Sequence, residues 1–125
     1  MKTNIKATNL VLTEAITNYL DNKLAHLDKI LPANNDSVIA DVELAKETMH
    51  HQHGEIFKAE INLHAGTKNF YVVAREQDLY AAIDVMKDEV VEQVKTGFEK
   101  RLTLLRRGGR QAKAMLRNLY WWRQK

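Results

Sequence analysis

A chain of 125 residues is long enough for one domain with a single core, and its lack of cysteine excludes disulfides, thiolate metal sites and cysteine nucleophiles. The net charge of +3 is unevenly spread: residues 1–94 hold nine Lys and Arg against fifteen Asp and Glu (−6), and residues 95–125 hold ten against one (+9). A basic end on an acidic body is expected of a chain that binds nucleic acid or an anionic surface; the bland alternative is a solvated basic tail.

The opening "MKTNIKATNL" has no apolar core of a signal peptide, and no apolar run approaches membrane-spanning length, which points to the cytoplasm. "TNIKAT" alternates, with Ile5 and Ala7 on one side and Asn4 and Lys6 on the other, as in a short half-buried strand. Thr13 offers a capping hydroxyl and Glu14 a first-turn acid to a helix striped by Ile16, Leu20, Leu24, Leu27 and Leu31 and closed by Pro32. Lys23, His26 and Lys29 lie off or beside that stripe and are expected to reach solvent.

"ANND" is a loop by composition. "SVIADVELA", "EIFKAEINLH" and "KNFYVVAR" then alternate in turn, with a tight turn at Gly66, and read as an antiparallel meander. Asp78 can cap a second helix whose stripe runs Leu79, Ile83, Met86, Val90, Val94 and on through Phe98 to Leu102 and Leu105. Gly97 inside it predicts a bend or a frayed end. Gly108 and Gly109 break the pattern before a basic aromatic stretch. The order β-α-β-β-β-α predicts an α+β fold of two layers, a four-stranded sheet with both helices on one face.

His50, His51 and His53 in "MHHQHG" invite a metal reading, with Glu47 and Glu55 as further ligands. Adjacent histidines on an extended chain point opposite ways, and no ligand pair has an established spacing, so the tip of a hairpin is the better reading. No G-x-S-x-G, H-E-x-x-H or phosphate-binding glycine loop is present. Asp84, Asp88 and Glu92, one turn apart, read as the solvated acidic flank of a helix. Nothing here has the pattern of an enzyme, and no cofactor or small-molecule substrate is expected.

Three segments, "LTEAITNYLDNKLAHLDKILP", "HHQHGEIFKAEINL" and "REQDLYAAIDVMKDEVVEQV", resemble the bacterial ribosome hibernation-promoting factor and ribosome-associated translation inhibitor family over about residues 1 to 107. The most specific match is D-[LM]-Y-x-A-I-[DN], here Asp78, Leu79, Tyr80, Ala82, Ile83 and Asp84. The resemblance implies a β-α-β-β-β-α fold similar to double-stranded RNA-binding domains. It also implies a cytoplasmic inhibitor that binds the small ribosomal subunit where transfer and messenger RNA pass, silencing idle ribosomes in stationary phase or stress. Long-form members carry a second domain that pairs ribosomes; this chain resembles a short form.

Resemblance and charge together single out Lys23, His26 and Lys29 on the first helix, and Lys87, Lys95, Lys100, Arg101, Arg106 and Arg107 on the second, as RNA-binding residues. The family's usual run of cations on the second helix is interrupted here by Glu92, Thr96 and Phe98, which shifts the register of the charge. Residues 1–107 are expected to form the ribosome-binding domain and 108–125 a basic extension. In that extension Arg110, Lys113, Arg117 and Arg123 are expected to track ribosomal RNA, while Tyr120, Trp121 and Trp122 stack on bases or fold back as core. The alternatives are a general binder of structured RNA, a metal protein built on the histidine loop, and a tail that lies on an anionic membrane.

Overall fold

A computed structural model describes the backbone of residues 1–31, 37–48 and 54–107, and the side chains of these up to residue 97. The elements are β1 (Lys2–Thr8), α1 (Glu14–Ile30), β2 (Val38–Thr48), β3 (Glu55–Ala65), β4 (Lys68–Glu76) and α2 (Leu79–Arg107). This is the α+β arrangement that the periodicities and the resemblance predict.

Both helices start where the sequence provides a cap. The Ile16 amide donates to Thr13 Oγ1 at 3.2 Å, and Thr13 itself is extended. The Ala81 amide donates to the Asp78 carboxylate at 3.3 Å, and Ala82 to the Asp78 carbonyl at 3.0 Å. These contacts satisfy amides that a helix start otherwise leaves unpaired. α1 ends at Leu31, which is extended, as expected of a residue that precedes proline. α2 does not stop at Gly97; it stays helical to Arg107.

The strands form one mixed sheet in the order β1-β2-β3-β4. β2, β3 and β4 are the antiparallel meander, with Val42 opposite Ile61 and Ile61 opposite Val72. A two-residue turn at Gly66, where φ is 65°, brings Lys68 opposite Ala65. β1 adds to the outer side of β2 in parallel, Ile5 opposite Val42. The parallel pairing follows from α1. Its 17 residues span about 25 Å and carry the chain back to the end of the sheet where β1 began.

Alternation then sorts the side chains. Val38, Ala40, Val42, Leu44, Ala59, Ile61, Leu63, Ala65, Val72 and Ala74 face the helices and are buried. Leu20, Leu24 and Leu27 of α1 and Leu79, Ala82, Ile83, Met86, Val90 and Val94 of α2 close the core from the other side. The core is wholly apolar among the described residues. At about 25 cal/mol per Å² of apolar surface removed from water, such a layer is the main favourable term in folding. No described element covers the second sheet face.

Candidate nucleic-acid interface

The two helices lie side by side and run the same way, so each turn of α1 has a counterpart on α2. The contacts between them define the seam. Tyr19 and Tyr80 meet edge to face, centroids 4.9 Å apart at 89°. The Tyr19 hydroxyl donates to Asp84 Oδ1 at 2.5 Å, and Lys23 Nζ lies 3.2 Å from the same oxygen and 5.0 Å from the Tyr19 ring centre. The Tyr19 hydroxyl and the Lys23 ammonium hold the Asp84 carboxyl below its ordinary range, outweighing its partial burial. Asp84 in turn raises the pKa of Tyr19 and of Lys23.

Asp84 is therefore more than one member of an acidic flank, although its side chain is 43% exposed. It is the acceptor at the centre of a latch between helices, while Asp88 stays exposed. Lys23, expected to be free for solvent, is held by that latch. Lys87, one turn beyond Asp84, is four-fifths buried and lies 3.5 Å from Asp88. His26, Lys29 and Lys95 are exposed on the helix surface as expected. Lys100, Arg101, Arg106 and Arg107 lie on the continuing backbone of α2, with side chains outside the described set. Arg110, Lys113, Arg117, Tyr120, Trp121, Trp122 and Arg123 lie outside the described residues, as do His50, His51 and His53. Among the described residues no group of His, Asp and Glu is placed to hold a metal.

The topology adds residues that sequence reasoning missed. Lys2 starts β1 and Lys68 starts β4, and both strands start at the end of the sheet where α1 stops and α2 passes Lys95. Lys2, Lys29, Lys68 and Lys95 thus share one end. Described acids there are Asp28, which takes the Met1 amine at 3.9 Å, and the exposed Glu92. The opposite end carries Glu14, Glu47, Glu55, Glu76 and Asp78. Its described cations are spent on that acid, Lys46 on Glu55 at 2.8 Å and Arg75 on Glu47 at 3.1 Å.

The open sheet face is compensated within itself. Lys58 pairs with Glu43 at 2.8 Å and Glu60 at 3.4 Å, and Glu43 also accepts from Thr8 at 2.9 Å. Lys58 and Thr8 hold the Glu43 carboxyl low, and Glu43 raises the pKa of Lys58. Asn4 donates to Asp41 at 2.9 Å, and the His64 ring lies 3.6 Å from Asp41. A face that interleaves Asp41, Glu43, Glu47 and Glu60 with their own cations has little to offer a phosphate backbone. The geometry leaves the helix surface and the lysine-bearing end as the places where an anionic polymer can sit.

Comparison with known proteins bears on what that polymer is. Residues 3–101 match the profile of the sigma 54 modulation protein / S30EA ribosomal protein family. A protein of Pseudomonas putida named ribosome hibernation promoting factor is 31% identical over 109 residues, covering 84% of this chain and 94% of that one. One of the same name from Azotobacter vinelandii is 29% identical over 106 residues, covering 82% and 87%. The N-terminal domain of Thermus thermophilus Protein Y superposes with a TM-score of 0.64 at 31% identity, over 77% of this chain and 98% of that domain. A ribosomal subunit interface protein from Coxiella burnetii shares the fold alone, with a TM-score of 0.64 at 11% identity over 79% of this chain and 99% of that one.

Proposed function

Because this chain belongs to the sigma 54 modulation protein / S30EA ribosomal protein family, we propose that it is a ribosome hibernation factor. It binds the small ribosomal subunit in the channel used by transfer and messenger RNA and inhibits translation there in stationary phase or stress. The observation that carries this reading is the family match across nearly all of the six-element fold, together with relatives named for ribosome hibernation.

The chemistry on the page supports it. In this reading the protein acts by occupying the subunit, and the described helices present cations on their surface. Lys and Arg neutralise phosphates and release counterions, and a stiff two-layer body supplies a shape that fits folded RNA. The ribosome places the protein in the cytoplasm, and among the described residues no helix is long and apolar enough to cross a membrane. Residues 1–107 form the ribosome-binding unit in this reading, and 108–125 a basic aromatic extension to it.

Co-sedimentation with purified subunits over a salt series tests this, with a structured non-ribosomal RNA as control. Saturable binding to small subunits that occupied transfer RNA sites block is the expected result. Equal affinity for the control RNA would reduce the protein to a general RNA binder.

A further inference from the structure

α1 covers only part of the length of α2. Tyr19 meets Tyr80 and Lys23 meets Asp84, each pair 61 positions apart in sequence, so Ile30 at the end of α1 is level with Val91. α2 continues for sixteen residues beyond that level, about 24 Å of helix. The sheet ends early as well. A Cβ at Gly97 would lie 3.5 Å from Lys68 Nζ and 3.6 Å from Phe70, at the first rungs of β4, so most of the helix from residue 98 to Arg107 runs past the last rung. Phe98, Leu102 and Leu105 follow Tyr80, Asp84 and Lys87 by eighteen residues each, which is five turns of 3.6 residues. These three positions therefore share the helix face that meets α1 at Tyr80 and Asp84, and in this stretch that face is apolar in sequence.

The sequence that follows has a matching side. Residues 108–125 lie outside the described residues, and they begin with Gly108 and Gly109, where a helix can end and the chain reverse. Ala112, Met115 and Leu119 stand as far after this glycine pair as Leu105, Leu102 and Phe98 stand before it. Spacings of three and four put them, with Leu116, on one side of a helix, and put Arg110, Lys113 and Arg117 on another.

We propose that residues 110–120 return along α2 as an antiparallel helix and take, past the end of α1, the place beside α2 that α1 takes on the body. The occupant is this chain's own segment because its register and length fit. Its eleven residues span about 16 Å, and the ten residues of α2 from Phe98 to Arg107 span about 15 Å. The product is a two-helix arm with an apolar seam, which covers a stripe that neither α1 nor the sheet is long enough to reach. Arg110, Lys113 and Arg117 lie off the seam, as do the positions of Lys100 and Arg107 on α2, so the arm closes by apolar contact and keeps its cations outside. The proposal does not depend on the ribosome-binding reading, which concerns what those cations meet.

The chain has no cysteine, so cysteine pairs introduced into the full chain report the contact directly. Leu102→Cys with Met115→Cys lies on the seam, and Lys100→Cys with Arg117→Cys lies off it, each pair placed evenly about the glycines. The seam pair should close an intramolecular disulfide at least about tenfold faster than the off-seam pair under mild oxidation in dilute solution. A tail that is not seated closes both loops at rates within about twofold of each other, and that result would overturn the proposal. Disulfide-linked dimers in place of the intramolecular bond would give the seam to a second copy and overturn it too. Circular dichroism decides where cysteines disturb the seam. Met115→Gln with Leu119→Gln should remove the helical signal of about ten residues, because so short a segment is not helical without packing, and Lys113→Gln with Arg117→Gln should leave it. No loss from the first pair, or the same loss from both, would overturn the seam. Small-subunit binding by the wild type, measured alongside, tests the function separately: its absence beside a closed seam pair would sink the functional reading and leave the arm standing.

Discussion

At one end of this molecule the chain starts three strands and finishes its first helix, and it places four lysines there; at the other it starts both helices and finishes β1, β2 and β4 among five acids. Part of this polarity is ordinary helix chemistry. Parallel helices align their dipoles, and Glu14 and Asp78 near the N-termini and Lys29 in the last turn of α1 suit those ends. Lys2, Lys68 and Lys95 do not follow from any helix terminus. What the contrast teaches is that the net charge of +3 hides a directional field, and that its basic end draws on the acidic first 94 residues as well as the basic remainder.

The strongest way to break the contrast is to remove the body that holds the ends apart. Leu27 is fully buried, so Leu27→Ala should cost about 2–5 kcal/mol in urea unfolding, with both ends lost in one transition. A smaller effect, on binding alone, separates the ends directly. Lys29→Glu with Lys95→Glu should weaken small-subunit binding on the order of 100-fold, while Glu14→Lys with Glu76→Lys leaves it unchanged within about threefold. Comparable changes from both pairs would mean that net charge, and not its placement, drives binding.

The seam between the helices carries a pH signature. Asp84 and Glu43 have folded pKa values below their ordinary 3.8 and 4.5, so their stabilisation is present above that range and is lost as pH falls through the folded values. The melting temperature of Asp84→Asn should therefore lie below that of the wild type at pH 7, with the gap closing toward pH 3. A gap that persists in acid would show that Asp84 acts through packing and not through its charge. The smallest expected effect is at the basic end. A Cβ at residue 97 would lie 3.5–3.7 Å from Lys68 and Phe70, ordinary contact, so Gly97→Ala should stabilise by about 0.5–1 kcal/mol in urea unfolding without changing ribosome affinity.

Much of this was legible in the sequence because it is short-range. Thr13 and Asp78 cap the helices that their neighbours predict, and the alternation of Val38 to Leu44 and Phe57 to Leu63 names the buried face of the sheet. D-L-Y-x-A-I-D pointed to the family, but its chemistry became clear only in the fold. Tyr80 and Asp84 lie one turn apart so as to meet Tyr19 and Lys23 of the other helix. No pattern within α2 shows that Asp84 has partners 61 and 65 positions earlier in the chain. The same separation in sequence hides the pairing of Lys23 with Asp84.

By itself the sequence determined the kind and order of the elements, the apolar face of each and the family, since hydrophobic periodicity and capping act over a few residues and survive in any arrangement. The tertiary structure alone decided that β1 joins β2 in parallel, that Asp84 latches the helices, and that Lys2, Lys29, Lys68 and Lys95 fall at one end of the fold. Those outcomes depend on where α1 delivers the chain and on which strand ends become neighbours. Charges far apart in sequence become one electrostatic feature only when the packing of the core has set the distance between them.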